Sequence, residues 1–425
     1  MLDVKFIREN LELVKEGIRK KGENISIDNF IELDSKRRKM VTEVDKLKHK
    51  RNLVSEKIGK MMKEKKEAKS LIEEMKKVSE EIKMYDSEIQ SIKKEINNIL
   101  INVPNIPHPS VPEGDESKNI EIKRWGKLQE FDFTPKDHLQ LGKELDIIDF
   151  PRASKITGGG FPLYKGLGAR LERALINFML DLHITKHGYT EIFPPFLSNR
   201  DSMFGTGQLP KLEEDMYICE EDDLFLIPTA EIPLTNIHRN EILDISELPK
   251  CYTAYSACFR REAGSYGKET RGFLRVHQFN KVELVKIVLP ENSYDELEKL
   301  LADAEEVLQL LEIPYRVVML ASGDLSFAAA KCYDIDIWAV GEKKFLEVSS
   351  CSNFEDFQAR RIGIKFRRAK DAKPEFVHTL NGSGVATARL MVALLENYQS
   401  DEGTVIVPEV LREYMGGINI IKKIL

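Results

Sequence analysis

Cys258–Glu283 reads CFRREAGSYGKETRGFLRVHQFNKVE, and the reading of the whole chain turns on it. Arg260, Arg261, Arg271 and Arg275 sit in or beside two short apolar runs, with Glu262 and Glu283 among them. A Gly-rich segment, AGSYGKETRG, separates the runs. The residue types predict two strands, Tyr252–Arg260 and Phe273–Leu284, paired antiparallel across a long loop. Long loops of this kind are often functional. Arginine presents a rigid fork of donors that suits phosphate and carboxylate. Arginines on paired strands beside carboxylates make a rigid surface of mixed charge, fit for an anion together with an ammonium. That pairing is expected where a nucleotide meets an amino acid. A solvated hairpin with charges on its rim is the plainer account of this stretch taken alone.

Polar residues recur at strand ends and glycine turns elsewhere in the same part of the chain. LFLIPTAEIPLTNIH, 224–238, puts Thr229 and Glu231 close behind a short apolar strand. KFLEVSSCSN, 344–353, is strand-like and carries Glu347 and Ser350, hard oxygens of the kind that hold Mg²⁺. HTLNGSGVATARLMVALLENYQ, 378–399, predicts a loop and then a helix from near Val385, with Asn381, Ser383 and Arg389 at its Gly-rich start. Singly, each has a plain account: a cap, an edge-strand charge, a turn. Jointly they supply charge neutralisation and alignment, which is most of what phosphoryl or nucleotidyl transfer asks of a protein. GLGARL at 166–171 lacks a preceding strand and no GK[ST] follows, so neither a dinucleotide fingerprint nor a Walker loop is read.

Residues 3–20 predict one amphipathic helix through Val4, Ile7, Leu11, Val14 and Ile18. From Phe30 to Met61, and again from Leu71 to Val103, apolar residues alternate three and four apart, with Arg37 and Arg51 at two of the positions. So long a 3.5-residue repeat is a coiled-coil seam. Two runs of similar length joined by the charged KEKKEAK, 63–69, predict an antiparallel helical hairpin. Each arm would be about 50 Å long at the helical rise per residue. Pro104, Pro107, Pro109 and Pro112 then mark a stiff linker. The expected domains are 1–103, a helical domain with the coiled-coil arm; 104–120, the linker; and 121–425. In the last, strands outnumber helices and no βαβ repeat appears. Helices are expected at 166–187 and 293–312, and RRIGIKFRR, 360–368, is strand-like. The fold class is α+β, an antiparallel sheet flanked by helices.

The net charge of −6 is uneven: Phe30–Leu100 holds 19 Lys/Arg against 14 Asp/Glu. A basic appendage on an acidic body suits a polyanionic partner. The five cysteines include no CxxC pair, which fits buried thiols in a reducing compartment. No run of 18 apolar residues exists, and MLDVKFIREN has no apolar core of a signal peptide. The expectation is a cytoplasmic protein without a membrane partner.

At these residues the chain resembles the class II aminoacyl-tRNA synthetases, and within them the seryl-tRNA synthetases. FRREAGSYGKETRGFLRVHQFNKVE looks like the second class motif and GSGVATARL like the third. Helix 170–187 with the strand ending at Pro194–Pro195 looks like the first, which in the family lies at a dimer interface. PTAEIPL is similar to the serine-binding loop, and EVSSCSNFEDFQARR to the adenosine and metal strand. With the arm and linker, the resemblance covers essentially the whole chain.

The resemblance implies the following roles. Arg260 would hold the α-phosphate and the serine carboxylate, and Glu262 would contact adenine. Phe279 would stack on the base, beside Val276. Arg275 and Arg389 would reach the γ-phosphate from two sides. Glu347 and Ser350 would bind Mg²⁺, with Val348 and Ser349 lining the ATP site between them. Thr229, Ala230 and Glu231 would receive the serine ammonium, and Glu283, Asn381 and Ser383 its side chain. Arg260, Glu262 and Arg389 would thus be catalytic. Arg261 stands where the family often has serine, and adds an ATP contact or faces solvent. Tyr266, in the hairpin loop, should tolerate substitution. No zinc is expected, because the common motif pattern is present. The implied activity is serine activation by ATP, then transfer to serine transfer RNA, and to selenocysteine transfer RNA where one exists. The arm would grip the RNA, and the enzyme would be a homodimer. Two alternatives are kept: an adenylate-forming relative that charges no RNA, and a non-catalytic coiled-coil RNA-binding protein.

Overall fold

In the computed structural model, residues 1–263 and 271–423 are described, so Tyr266 lies outside the described residues. The chain divides into two compact units. One is Leu2–Arg19 with Glu23–Val103; the other is Pro104–Leu425 with Met1 and Lys20–Gly22.

In the first unit the expected N-terminal helix is two: α1, Val4–Glu9, and α2, Leu11–Lys20. The break falls at Asn10, whose backbone, at φ −133° and ψ 41°, leaves the helical region, and whose side-chain amide donates to the Phe6 carbonyl. The long helices α3, Asp28–Lys63, and α4, Lys69–Leu100, follow. They are antiparallel: as numbers rise along α3, the ion-pair partners on α4 fall, from Lys36–Glu88 through Lys48–Asp86 to Lys50–Glu74. Phe30, Met40 and Val44 of α3 are buried, as are Met75, Val78, Ile82, Ile89, Ile92, Ile96 and Leu100 of α4.

Asp34 is also buried, beside the expected seam residue Leu33. Its carboxylate accepts from Arg8 Nε at 2.7 Å and Arg37 Nη2 at 2.6 Å. Burial opposes its charge, yet the two arginines hold its carboxyl below the usual range. Arg37 is therefore a fixed partner of Asp34 rather than a loose seam residue. Replacing Asp34 by Ala removes the one carboxylate that both arginines share. The expected cost to the N-terminal unit is about 2 kcal/mol, reduced because the arginines reach solvent. Urea unfolding of the full chain, followed by helical circular dichroism, should show an earlier helical transition in D34A.

In the second unit, Pro104–Asn119 is not a free tether. Asn105 Nδ2 donates to the Ala328 and Phe354 carbonyls, and the N–H groups of Ser322 and Gly323 donate to Pro112 and Gly114. The main sheet comprises β1, Ile120–Trp125; β2, Thr190–Glu191; β3, Lys250–Phe259; β4, Gln278–Val288; β5, Tyr315–Met319; β6, Lys331–Ala339; β7, Lys344–Asn353; and β8, His378–Ala386. Their order is β1-β5-β6-β7-β8-β4-β3-β2. All neighbours are antiparallel except β2 and β3. Helices α5, Leu167–Thr185, α6, Ser293–Leu310, and α7, Thr387–Asn397, supply Leu171, Leu175, Leu297, Leu300, Leu390 and Leu394 to one core with the sheet.

Three expectations are corrected. His378–Ala386 is a central strand, not a loop, and α7 starts only at Thr387. Gly382 and Gly384 permit this, because a Cβ on either would strike Cys351 and Leu300, or His183 and Leu284, across the strand. RRIGIKFRR is split: Phe357–Ile362 is helical, Gly363 in the left-handed region ends the helix, and only Lys365–Arg367 is a strand. The second hairpin strand begins at Gln278, so Arg275 lies in the connection rather than on the strand.

Candidate active site

Alternation along β4 creates the site. Phe279, Lys281 and Glu283 point to one face of the sheet, while Asn280, Val282, Leu284 and Lys286 point to the helices. The pairings agree: Asn280 Nδ2 donates to Glu172 on α5, and Lys286 Nζ to Glu296 on α6.

On the other face, Glu283 is fully buried. Its carboxylate accepts from Thr229 Oγ1 at 2.6 Å and from Asn381 Nδ2 at 3.2 Å, and pairs with Lys281. Ser383 on β8 is its direct cross-strand neighbour. Ala230 is buried, and the helix Glu231–Asn236 starts beside it. Glu231 accepts from Gln358 Nε2 at 2.7 Å. Burial first, and the Glu283 charge second, push its carboxyl up to about 7. Thr229, Ala230, Glu231, Glu283, Asn381 and Ser383 are thus gathered into one cluster rich in hydrogen-bonding atoms.

The arginines form its other side. Arg260 follows β3, and its guanidinium lies over the Phe279 ring, 5.2 Å from the centroid. Among the described residues no carboxylate pairs with it. Glu262 adopts a φ of 54° and pairs with Arg275 at 3.2 Å. The Arg261 N–H donates to the Asp215 carbonyl, which anchors the turn. Val276 is buried. Arg389, in the first turn of α7, donates to the Leu274 carbonyl at 3.2 Å and the Glu347 carbonyl at 2.7 Å.

Glu347 and Ser350 are three residues apart on β7, which in a regular strand would place them on opposite faces. A bulge corrects this: Ser349 pairs with Ile335 and Glu347 with Asp336, leaving Val348 as the extra residue. Ser350 Oγ consequently lies 3.2 Å from Glu347 Oε1 and donates to Asp334 Oδ1 at 2.6 Å. Burial, then the Glu347 charge, drives the Asp334 carboxyl well above the usual range. These are hard oxygens of the type a divalent cation takes, although among the described residues no group of three or more His, Cys, Asp or Glu side chains is placed to hold a metal ion. Ser349 instead points away and donates to the Ser383 carbonyl at 2.6 Å.

A model of the tRNA synthetase class II core domain (G, H, P, S and T) matches residues 214–398, and one of the seryl-tRNA synthetase N-terminal domain matches residues 1–107. The serine–tRNA ligase of Acetivibrio thermocellus is 61% identical over 423 residues, covering 99% of this chain and 100% of the relative. The chain belongs to the seryl-tRNA synthetase family. That of Carboxydothermus hydrogenoformans is 58% identical, with both chains covered in full. Among solved structures, a seryl-tRNA synthetase of Pyrococcus horikoshii complexed with ATP superposes with a TM-score of 0.93 at 41% identity, over 100% of both chains. A cytoplasmic serine–tRNA ligase of Naegleria fowleri in complex with AMP gives 0.89 at 32%, over 100% of this chain and 99% of the other. The second unit is therefore a class II synthetase core, α+β with a mostly antiparallel sheet.

Sequence reasoning missed four residues. Lys281 shares its strand face with Glu283 two positions away, a signal that KVELVK carried. Gln358 and Asp334 reach the site only through tertiary pairing. Glu172 accepts from Asn280 Nδ2 at 2.7 Å and Thr387 Oγ1, tying α5 to β4 and to the start of α7. Burial raises its carboxyl to about 7.

Lys281→Met should leave Glu283 buried without its cation and lower stability by about 3 kcal/mol. The urea midpoint measures it, and K281M/E283Q should recover more than half of the loss.

Proposed function

We propose that the site activates L-serine with ATP and that the chain then charges serine transfer RNA. The observation that carries this reading is the buried Glu283, bonded to Thr229, Asn381 and Lys281, facing Ser383 and flanked by the open Arg260. A carboxylate offers about four acceptor positions, so Glu283 keeps room for a substrate O–H. Alanine would leave that position unpaired, a rejection that binding alone supplies. Glu231, with Thr229 and Ala230 beside it, receives the ammonium.

Arg260 draws the serine carboxylate and the α-phosphate together for in-line attack. Phe279 and Val276 take the base, Glu262 its amino group, and Arg275 and Arg389 the γ-phosphate. Arg261 lies at the rim. Glu347 and Ser350 hold Mg²⁺, with Val348 and Ser349 shaping the strand between them. When bound, the ion offsets phosphate charge as pyrophosphate leaves. The terminal ribose hydroxyl of the RNA then attacks the adenylate carbonyl. No side chain forms a covalent bond; Arg260 and Arg389 stabilise charge developing at phosphorus.

The coiled-coil arm would read RNA shape and backbone, with salt-sensitive affinity. A second copy would join along the short edge strand β2, where Phe193 is exposed. No described helix is long and apolar enough to cross a membrane, in keeping with a cytoplasmic place for this reading.

Amino-acid-dependent ATP–pyrophosphate exchange tests the activation step. Serine should support it; alanine and glycine, which lack the hydroxyl, should fall at least ~100-fold short, and threonine should be refused by the bulk of its extra methyl group. Exchange with none of them, from a folded protein, would end the reading.

Glu231 also sets a pH signature. Its free-enzyme pKa of about 7 means that, below this pH, serine must displace a proton from it. Serine affinity should fall about tenfold per pH unit below pH 7 and level off above it. Calorimetric titrations in buffers of different ionisation enthalpy would read the released proton, and E231Q should abolish it.

A further inference from the structure

Three side chains outside the proposed chemistry, His183, His187 and Glu306, form a partly buried hydrogen-bonded chain that ends on the backbone beside Ser383. His183 on α5 places Nε2 at 2.9 Å from the Gly384 carbonyl and Nδ1 at 2.9 Å from Nδ1 of His187. His187 Nε2 lies 2.9 Å from Glu306 Oε2 on α6. Asp303 Oδ1 is 3.8 Å from His187 and accepts through its other oxygen from the Tyr189 hydroxyl. Lys286 on β4 approaches Asp303 from behind, and Lys186 pairs with Glu306.

A carbonyl only accepts, so His183 Nε2 carries a hydrogen. Burial pushes His183 down to about 4, so the ring is neutral and its Nδ1 is bare. His187 Nδ1 must therefore donate to it. Burial opposes the Glu306 charge, but Lys186 and His187 hold its carboxyl below the usual range. The Glu306 carboxylate holds the far side of the His187 ring.

The chain ends on backbone that shapes the pocket. The register of β8 against β4 slips between Ser383 and Ala386. Within this irregular stretch the Ser383 carbonyl is held by Ser349 Oγ and the Gly384 carbonyl by His183 Nε2. Gly384 has no room for a Cβ against the His183 ring, so ring and backbone are in direct contact.

We propose that His187 and His183 are positioning residues: the Nδ1–H of His187 fixes the His183 tautomer that holds the Gly384 carbonyl, and so aims Ser383 at the serine side chain. The proposal rests on the reading of the pocket given above. His183→Phe removes the donor at similar volume, and His183→Gln keeps one. Losing one hydrogen bond that acts through Ser383 should raise the KM for serine about tenfold in pyrophosphate exchange. The KM for ATP should stay within about twofold, and H183Q should recover most of the loss.

Histidine-selective ¹⁵N NMR of the unsubstituted protein at neutral pH should show His183 as the neutral Nε2–H tautomer. His183 carrying its hydrogen on Nδ1 overturns the proposal, and so does an H183F variant whose serine KM is unchanged or whose serine and ATP KM rise together. The spectrum decides the proton arrangement even where H183F fails to fold. Unsubstituted protein that gives the expected spectrum but no serine-dependent exchange would remove the pocket reading and, with it, the proposed role of the pair.

Discussion

A strand buried on both faces cannot carry charge without partners, and β4 carries three charges near its middle. Lys281 and Glu283 answer each other on the site face, while Lys286 finds Glu296 on α6. An ionised group left alone there would cost several kcal/mol. The neighbouring strands, the Thr229 loop and the helix layer must therefore present complementary atoms at fixed places. The class II core is assembled around that demand, and the pocket is where the demand is met by groups that retain acceptor capacity.

The sequence was most legible where a long period or a dense local cluster spoke. The heptads of Phe30–Met61 and Leu71–Val103 became α3 and α4, because a repeat sustained for so many turns outweighs local propensity. The arginine hairpin was found from its composition, although its second strand starts later than alternation suggested. Glycine misled the reading at Gly382 and Gly384, where it signified a strand pressed close by neighbours rather than a turn. The pairing of Glu347 with Ser350 depends on a bulge at Val348 that period-two reasoning cannot generate. Gln358, Asp334 and Glu172 stayed hidden because their meaning lies wholly in contacts far along the chain.

Two carboxyls, Glu172 and Glu231, are raised to about 7 by burial, yet their settings differ. Glu231 faces the pocket and also feels the charge of Glu283. Glu172 faces inward, where Asn280 and Thr387 only partly compensate burial. Among the described residues, one oxygen of Glu172 has no hydrogen-bond partner. Desolvation thus gives the same pKa direction to a group proposed to meet serine and to one that fastens three elements together, and only the partners distinguish them.

The antiparallel pairing of α3 and α4 makes the reach of the hairpin a paired quantity. Each heptad added to one helix needs a matching heptad on the other, or Lys36, Lys48 and Lys50 lose their opposite numbers and the apolar stripes fall out of step. Length can therefore change only in commensurate increments of about 10 Å, the rise of one heptad. A single-residue insertion acts differently, since it turns the stripe by about 100° and must be absorbed by local unwinding. The hairpin is in this sense a gauge with coarse graduations, tolerant of substitution along its outer faces and intolerant of slippage.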